Sequence, residues 1–380
     1  MQLCKLSGIL SPKKELDSGN MRQINFKSYF YIFLISSLSG QGFWGNEFPV
    51  PKIEYNPRIY VCYRTSNNIL VDGKLNDPDW EQSAWTESFV DIEGSLKPDP
   101  FLDTKVKMLW DDTYFYFGAQ MKEPHVWATL TTRDAVIFKD NDFEIFLDPD
   151  GDTHNYYELE VNALETEWDL LLLKPYHDQP RVAVDSWDIP GLITRVYVDG
   201  TINNPSDIDK EWSVEIAIPW KALEECAPNE YPIEGEQWKV NFSRVHWNTK
   251  IQDGKYIKTE SPEYNWVWSP QGLIYMHMPD LWGLVQFTRT IVGQKKVDFR
   301  ADELDRIKWT LRQVYYRQRN HFFKKEQYTP SLDTLNLVKK PVDGLPWPPK
   351  IVVTPSGWEA AVKWNNKSVI IQQDGKVWVK

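Results

Sequence analysis

The chain has 380 residues, a formal net charge of −11 and an aromatic content of 14%, with 19 tryptophans. An acidic chain of this kind is a poor partner for nucleic acid, whose binding depends on basic side chains that neutralise phosphates. Tryptophans fill cores and also form flat apolar faces. The composition therefore favours a globular protein whose acidic loops suit cations or neutral ligands.

The first 42 residues have the layout of a leader. Residues 21–27 are basic, residues 29–35 form an apolar run (YFYIFLI), and residues 36–42 are small and polar. This order is typical of a secretory signal peptide, and the apolar run is too short to span a bilayer. We predict that translation starts at Met21, that residues 1–42 are a leader, and that the protein is secreted or periplasmic. A leader without order that precedes a buried strand is the alternative.

Short segments in which apolar and polar residues alternate follow the leader, and turn residues separate them. Such segments are typical of half-buried strands, and no βαβ alternation accompanies them. The pattern predicts an all-β fold, a two-sheet antiparallel β-sandwich of the jelly-roll kind over residues 43–290. The predicted strands are 61–64, 68–71, 106–110, 114–119, 143–147, 157–161, 168–174, 192–198, 211–218, 237–244, 266–268 and 282–287.

After residue 298, the spacing of the apolar residues becomes that of a helix. The apolar spacing of residues 301–324 fits one long amphipathic helix, which either docks on the sandwich or stays exposed to bind a partner. A Pro-rich segment and four short strands, with Asp374-Gly375 as a hairpin turn, then predict a small C-terminal β-meander. We assign a helical extension to residues 291–340, and the Pro-rich linker with the meander to residues 341–380.

Two cysteines follow the leader, Cys62 and Cys226. Export would permit a disulfide between them. Two separate buried thiols agree equally well with the sequence, so both alternatives stay open.

The ordered motifs of the predicted sandwich resemble the family-9 carbohydrate-binding modules, a β-sandwich family related to the DOMON group. The resemblance implies that two aromatic rings hold a terminal sugar, that polar side chains bind its hydroxyls, and that calcium supports the loops. The matching pieces are ILVDG at 69–73 with Trp80, VKMLWDDTY at 106–114, NDFEIFLD at 141–148, Tyr156-Tyr157 with Glu160-Val161-Asn162, WSVEIAIPW at 212–220, and Trp282-Gly283.

The resemblance also implies which residues bind the sugar. By motif position, the two stacking rings are Phe138 and Trp268, and Glu144 is the retained carboxylate. The family's sugar binders carry Trp at the position of Phe138 and a basic residue at the position of Glu160, so the chain departs from them twice. A flat ring stacks on the C–H face of a sugar while carboxylates orient its hydroxyls. The predicted ligand-binding residues are Phe138, Glu144, Glu158, Glu160, Trp266 and Trp268.

Three aspartates at alternate positions around a glycine predict a metal site. Asp148, Asp150 and Asp152 offer hard oxygen ligands of the kind that Ca²⁺ prefers. The spacing of an EF-hand is absent, and a solvated hairpin turn would have the same sequence. We predict Ca²⁺ as the cofactor.

Other functions remain alternatives. Paired carboxylates among Glu144, Glu158 and Glu160 would suit a glycoside hydrolase, although the resemblance supplies no acid/base pair. His277 lies between two methionines, and DOMON relatives include haem carriers. Adjacent strand residues point to opposite faces, so Met108 or Met121 would have to be the second ligand, and no haem is expected. A structural module that has lost its site is the remaining alternative.

The sequence thus predicts a non-catalytic, extracytoplasmic protein that binds an oligo- or polysaccharide. It is expected to be a binding module rather than a hydrolase, with no catalytic residue, no nucleic-acid partner and no membrane span. Separate glycoside hydrolases are its expected associates.

Overall fold

The computed structural model describes Phe48, residues 50–178 and residues 180–380. The predicted leader and its signal peptide lie outside these residues. Gly42–Lys380 form one unit, so the predicted boundaries at residues 290 and 340 fall inside it and stay predictions. Within the described ranges, none of the helices combines the length and the apolar character that crossing a bilayer requires.

The regular elements are mainly strands. The helices are α1 (Pro78–Gln82), α2 (Trp220–Leu223) and α3 (Glu303–Lys325). The strands are β1 (Ile59–Arg64), β2 (Val90–Asp91), β3 (Thr104–Trp110), β4 (Tyr114–Lys122), β5 (Asp142–Asp148), β6 (Tyr156–Asn162), β7 (Glu167–Leu172), β8 (Ala183–Val184), β9 (Ile193–Asp199), β10 (Glu211–Pro219), β11 (Gln237–His246), β12 (Thr249–Gln252), β13 (Lys255–Lys258), β14 (Tyr264–Val267), β15 (Gly283–Ile291), β16 (Lys350–Val353), β17 (Trp358–Trp364), β18 (Lys367–Gln372) and β19 (Val377–Val379).

Hydrogen bonds join the main sheet in the order β8-β7-β6-β5-β11-β15-β1-β3-β4-β10-β9, with β14 beside β11 and β2 beside β14. The pairs are antiparallel except those of β1, which runs parallel to both β15 and β3. One half of the sandwich contains β8, β7, β6, β5, β11 and β15, and the other contains β3, β4, β10 and β9. Because β1 lies between β15 and β3, it joins the two halves into one continuous sheet. The small hairpin β12-β13 and the C-terminal meander β16-β17-β18-β19 are separate sheets.

The two halves of the main sheet pack face to face through aromatic side chains. Phe115 of β4 lies 6.2 Å from Trp238 of β11, and Phe117 lies 5.9 Å from Phe242, measured between ring centroids. Each such ring buries a large apolar area, and these contacts belong to one core cluster that spans both halves. The predicted all-β sandwich, followed by one long helix and a small meander, is confirmed.

Strands β5 and β6 are buried on both faces. Their inward residues, such as Phe143 and Leu159, belong to the core between the halves. On the outer face, Phe146 and Tyr156 pack with Trp282 in a second cluster. This outer cover places polar residues of β5 and β6 in the interior.

Helix α3 docks on the unit instead of standing free. Its N-cap Asp302 accepts a hydrogen bond of 2.8 Å from the backbone N–H of Leu304, a contact that stabilises the first turn. Ile307, Leu311 and Val314 then pack in a core cluster shared with the meander and with residues of the 273–281 segment. Of the two alternatives for the helix, the docked one is therefore observed.

Residues 68–71 are not a strand, contrary to the prediction. Ile69 and Val71 pack with the buried Trp80 in a small cluster, whereas Leu70 is exposed. The alternation therefore reflects packing against Trp80 and not pairing with a strand. The two cysteines are free thiols: Cys62 is buried in the core and Cys226 is half-buried.

Candidate functional site

Four carboxylates converge on the outer face of β5 and β6. Glu144 lies directly opposite Glu160 in the register of the two strands, and Glu158 lies opposite Phe146. Asp142 precedes Glu144 by two residues, so it projects from the same face. All four acidic residues are buried. We call Asp142, Glu144, Glu158 and Glu160 the carboxylate cluster.

Backbone groups hold part of this cluster in place. The N–H of Val245 donates to Oδ1 of Asp142 over 3.2 Å, and the N–H of Phe138 donates to Oε2 of Glu160 over 2.9 Å. Oδ2 of Asp142 and Oε2 of Glu158 have no hydrogen-bond partner among the residues that the structure describes. The cluster is therefore fixed by the strands and only partly satisfied.

The environment of the cluster disfavours negative charge. Burial raises the pKa of Glu144 to about 7, although a hydrogen bond from the Ser243 hydroxyl opposes the shift. Burial also raises the pKa of Glu158 and of Glu160 well above the usual range, and the neighbouring Glu144 carboxylate adds to it. Burial has the same effect on the pKa of Asp142.

Three members of the carboxylate cluster, Glu144, Glu158 and Glu160, lie at the floor of a cavity of about 310 Å³. Phe138 stands at its rim with 37% of its surface exposed, and Trp168, Tyr176 and Tyr275 supply further aromatic walls. His277 closes the floor beside Phe146, where its ring is edge-on at 5.8 Å. Aromatic walls around acidic groups suit a ligand with both C–H faces and hydroxyls.

A second lobe of about 510 Å³ adjoins the first. Ile92, Glu263, Asn265 and Ile274 border both lobes, so the two form one two-lobed cleft. Phe101 lies in the second lobe with 60% of its surface exposed.

The ring of Phe101 rests on other aromatic rings. It contacts Trp266 edge-on at 5.0 Å and Tyr264 at 5.4 Å, and Trp266 in turn stacks on His246 at 5.0 Å. Trp266 is itself buried. It therefore lines the cleft by supporting Phe101. The prediction that Trp266 itself binds the ligand is corrected, because its ring is not open to the cleft.

Trp268 lies in the core, and the prediction that it faces Phe138 across a sugar is corrected. None of its surface is exposed, and its ring packs 5.8 Å from Phe242 of β11. Its indole N–H donates to Glu87 over 3.2 Å. The ring lies against Gly283 so closely that a Cβ there would come within 2.4 Å of it. Trp268 directly follows β14, and its ring is turned into the core.

The sequence analysis missed Phe101, Tyr264 and Ile274, which line the cleft with exposed surface. A weak signal was available for Phe101, which ends the segment KPDPF at 97–101. An aromatic residue in a loop of prolines and aspartates belongs to no strand pattern, and such a residue is a candidate for a surface contact.

The turn after β5 brings its three aspartates together, with carboxylate oxygens of Asp148, Asp150 and Asp152 within 4.8 Å of one another. The donor type and spacing suit Ca²⁺. Two lysines already supply positive charge: Lys376 lies 2.9 Å from Asp152, and Lys308 donates to two backbone carbonyls of the turn. The residues fit the ion, but the ion would compete with these lysines.

The methionines and the histidine that would ligate haem do not meet. Met108 and Met121 lie in the core between the two halves of the sheet. His277 lines the cleft instead, and its Nδ1 is 3.0 Å from the hydroxyl of Tyr156. Burial lowers the pKa of His277 to about 3.

Comparison with known proteins agrees with the motifs. The family model described as carbohydrate family 9 binding domain-like matches residues 71–233. Among curated proteins, none matches the chain.

Similar solved structures include a candidate carbohydrate-binding protein from Bacteroides uniformis ATCC 8492, 16% identical with a TM-score of 0.46, which covers 61% of this chain and 100% of its own. They also include a carbohydrate binding module of family 9 from Caldicellulosiruptor kristjanssonii, in complex with cellotriose and with glucose. Both of these are 16% identical, with a TM-score of 0.37, and cover 63% of this chain and 100% of their own.

The matched segment begins just before α1 and ends after β10 and α2, so it includes the strands that carry the carboxylate cluster. Strands β14 and β15, helix α3 and the meander lie beyond it. Over residues 71–233 this chain is therefore similar to the carbohydrate family 9 binding domain-like proteins, in agreement with the resemblance of the ordered motifs.

Proposed function

We propose that this protein binds a neutral glycan in the two-lobed cleft and does not hydrolyse it. The observation that carries the proposal is the combination of exposed rings and buried carboxylates in one cleft. Phe138 and Phe101 are exposed at its two lobes, and Glu144 and Glu160 lie at its floor. Rings of this kind stack on the C–H faces of sugars, and carboxylates accept hydrogen bonds from hydroxyls.

The charge and the shape of the cleft define the class of glycan. The three acidic side chains at the floor, Glu144, Glu158 and Glu160, suit hydroxyl groups and not the carboxylates or sulfates of a charged glycan. The two lobes share one border and together have the volume of a small-molecule site. An uncharged oligosaccharide that places one ring on Phe138 and another near Phe101 is the ligand that we propose.

Removal of the Phe138 ring is expected to weaken glycan binding. Phe138→Ala deletes a stacking face worth about 1 kcal/mol, which corresponds to roughly a fivefold rise in Kd. Isothermal titration calorimetry with neutral oligosaccharides of glucose, xylose, mannose and N-acetylglucosamine would measure it. Phe323→Ala is the matched control, because Phe323 is similarly exposed but lies on α3.

Two results would contradict the proposal. If no oligosaccharide binds the unaltered protein, the cleft is not a glycan site. If the protein releases reducing sugars from an oligosaccharide, and Glu144→Gln abolishes the release, the non-catalytic part is wrong and a hydrolase takes its place.

We further propose that the protein acts outside the cytoplasm, beside separate glycoside hydrolases that act on the captured glycan. The basic, apolar and small-polar order of residues 21–42 supports export. Mass spectrometry of the protein from a fractionated host would test this. Recovery of the full-length leader in the cytoplasmic fraction alone would overturn it.

Ca²⁺ is the proposed ligand of the turn formed by Asp148, Asp150 and Asp152. Because Lys376 pairs with Asp152, binding must displace this lysine, and we expect a weak site with a Kd of about 10⁻⁴–10⁻³ M. Millimolar CaCl₂ should raise the Tm relative to EDTA, and Asp150→Asn should reduce that rise. An equal rise in the variant would show that Ca²⁺ acts elsewhere.

A further inference from the structure

Within the described residues, three groups of carboxylates bring oxygen atoms of three side chains within 4.8 Å of one another. Two of the groups contain their own cations. Arg133 lies among Asp134, Asp169 and Asp188 and pairs with each of them. The turn after β5 has the two lysines already described. In both groups a basic side chain compensates the clustered negative charge.

The third group, Asp142, Glu144 and Glu160, has no such partner. In residues 50–178 and 180–380, no lysine, arginine or histidine nitrogen forms an ion pair with these side chains. Glu144 and Glu160 are nevertheless directly opposite each other on adjacent strands, an arrangement that is destabilising for like charges. Uncompensated buried charge is costlier still. The fold therefore places carboxylates that lack a compensating positive charge at the floor of the cleft.

An independent observation points to a ligand at the same place. Glu158 lines the cavity with Glu144 and Glu160 and is only 4% exposed. Its Oε2 has no hydrogen-bond partner in the described part of the chain, and neither has Oδ2 of the fully buried Asp142. Buried polar atoms are normally satisfied, so the Glu158 oxygen is available to something that enters the cavity, and the Asp142 oxygen to an ion held between the carboxylates.

The oxygen donors of the group favour Ca²⁺ over other cations. Ca²⁺ binds oxygen ligands at about 2.3–2.6 Å, so two of its ligands lie no more than about 5.2 Å apart. The limit for Mg²⁺, with bonds of about 2.0–2.1 Å, is about 4.2 Å. The oxygens of the group lie within 4.8 Å of one another, which satisfies the limit for Ca²⁺. Ca²⁺ also accepts irregular coordination, whereas Mg²⁺ demands a near-ideal octahedron and keeps several waters. An ammonium group would supply one positive charge where three or four carboxylates meet.

We propose that Asp142, Glu144 and Glu160 hold a Ca²⁺ ion at the floor of the cleft, with Glu158 beside it, and that glycan hydroxyls complete its coordination. Ca²⁺ takes six to eight oxygen ligands, more than the cluster supplies, and the remaining positions face the cavity. The part that concerns hydroxyls rests on the proposed function; the ion site itself does not. In this chain the ion replaces a basic side chain as the cation that faces the sugar.

The ion site is tested by calorimetry with CaCl₂ alone on the full protein after treatment with a chelator. We expect a Ca²⁺ site that Glu144→Gln and Asp142→Asn weaken at least about tenfold, with weaker binding of MgCl₂. Asp150→Asn in the turn and Asp134→Asn beside Arg133 are the controls, and they should leave this site unchanged. Circular dichroism verifies that each variant is folded.

Three outcomes would overturn the ion site. They are no Ca²⁺ binding by the unaltered protein, the same affinity in the Glu144→Gln and Asp142→Asn variants, and loss of all binding in Asp150→Asn. Infrared spectra that show protonated carboxyl groups unaffected by CaCl₂ would indicate that protons alone neutralise the cluster, and would overturn it equally.

The link to the glycan has its own test. An oligosaccharide that binds the unaltered protein should lose at least about tenfold in affinity when EDTA replaces CaCl₂, and Glu144→Gln should remove this dependence. Equal affinity in EDTA would refute the coordination by hydroxyls and leave the proposed function intact. If Ca²⁺ binds but no oligosaccharide does, the ion site is supported and the proposed glycan-binding function is refuted.

Discussion

Replacement of Asp280 by alanine is expected to lower the free energy of unfolding by about 3–5 kcal/mol. Asp280 is buried beside the equally buried Arg312 of α3, with 3.0 Å between Oδ1 and Nη2. The hydroxyl of Tyr316 donates to the other carboxylate oxygen. Without the aspartate, a guanidinium would remain in the interior with no counter-charge from Asp280, held by the carbonyl of Gly375 and the ring of Tyr315. Urea denaturation at neutral pH measures the loss.

The control for this substitution is Asp298→Ala. Asp298 pairs with Lys296 at the surface, where both side chains are highly exposed, and such pairs contribute about 0–1 kcal/mol. A second variant, Asp280→Asn, keeps the shape and removes the charge, so it should also be destabilised. If Asp280→Ala changed stability no more than Asp298→Ala, the buried pair would not join the helix to the sandwich.

Replacement of Trp268 by alanine is expected to cost about 3–5 kcal/mol of unfolding free energy. The substitution removes a fully buried ring that fills the space above Gly283, and the sheet around it cannot close over the cavity. Gly283→Ala should destabilise from the other side, because its Cβ would collide with the same ring. Guanidinium denaturation measures both, with Trp85→Ala as the control, since Trp85 is partly exposed.

The same variant distinguishes the core position of Trp268 from the predicted sugar-stacking one. A stacking ring would leave stability almost unchanged and abolish glycan binding. We expect the opposite order of effects, with the loss of stability first. If Trp268→Ala folds as well as the unaltered protein and fails to bind glycan, the placement of this ring in the core is wrong.

Local patterns were sufficient to predict strands β5 and β6 and the common face of their acidic residues, although they wrongly predicted a strand at residues 68–71. Apolar and acidic residues alternate along β5 and β6, so Glu144, Glu158 and Glu160 had to project together once the strands paired. Their convergence follows from that alternation and from the register. Their burial could not be predicted in this way, because the residues that cover them, 273–282, are more than a hundred positions away in the chain.

Exposure of the aromatic rings was beyond local reasoning for the same reason. Trp268 and Phe101 are both large apolar residues near turns, yet one is in the core and the other lies on the surface. Which of them is covered depends on how distant elements pack. The glycine in the Trp282-Gly283 motif was the usable signal for Trp268, since a glycine within a strand often marks the close approach of a neighbour.

The role of the long helix was undecided for a different reason. Its apolar spacing predicts that one face is buried but does not name the surface that buries it. Arg312 fixes the surface on which the helix docks, because it reaches from α3 to Asp280 and to the carbonyl of Gly375. A basic residue in a helix is normally read as solvent-exposed, so the sequence pattern concealed this contact.

The docking of α3 and the meander has a consequence for where the protein can be divided. Leu273, Met278 and Leu281 belong to the core cluster that these C-terminal elements complete, and the same segment supplies Ile274 and His277 to the wall of the cleft. A fragment that stopped directly after β15 would hold every strand of the main sheet and would still expose that apolar surface to water. Such surfaces promote association. The smallest soluble piece that keeps its cleft therefore extends far beyond the family-matched segment, through the last strand of the chain.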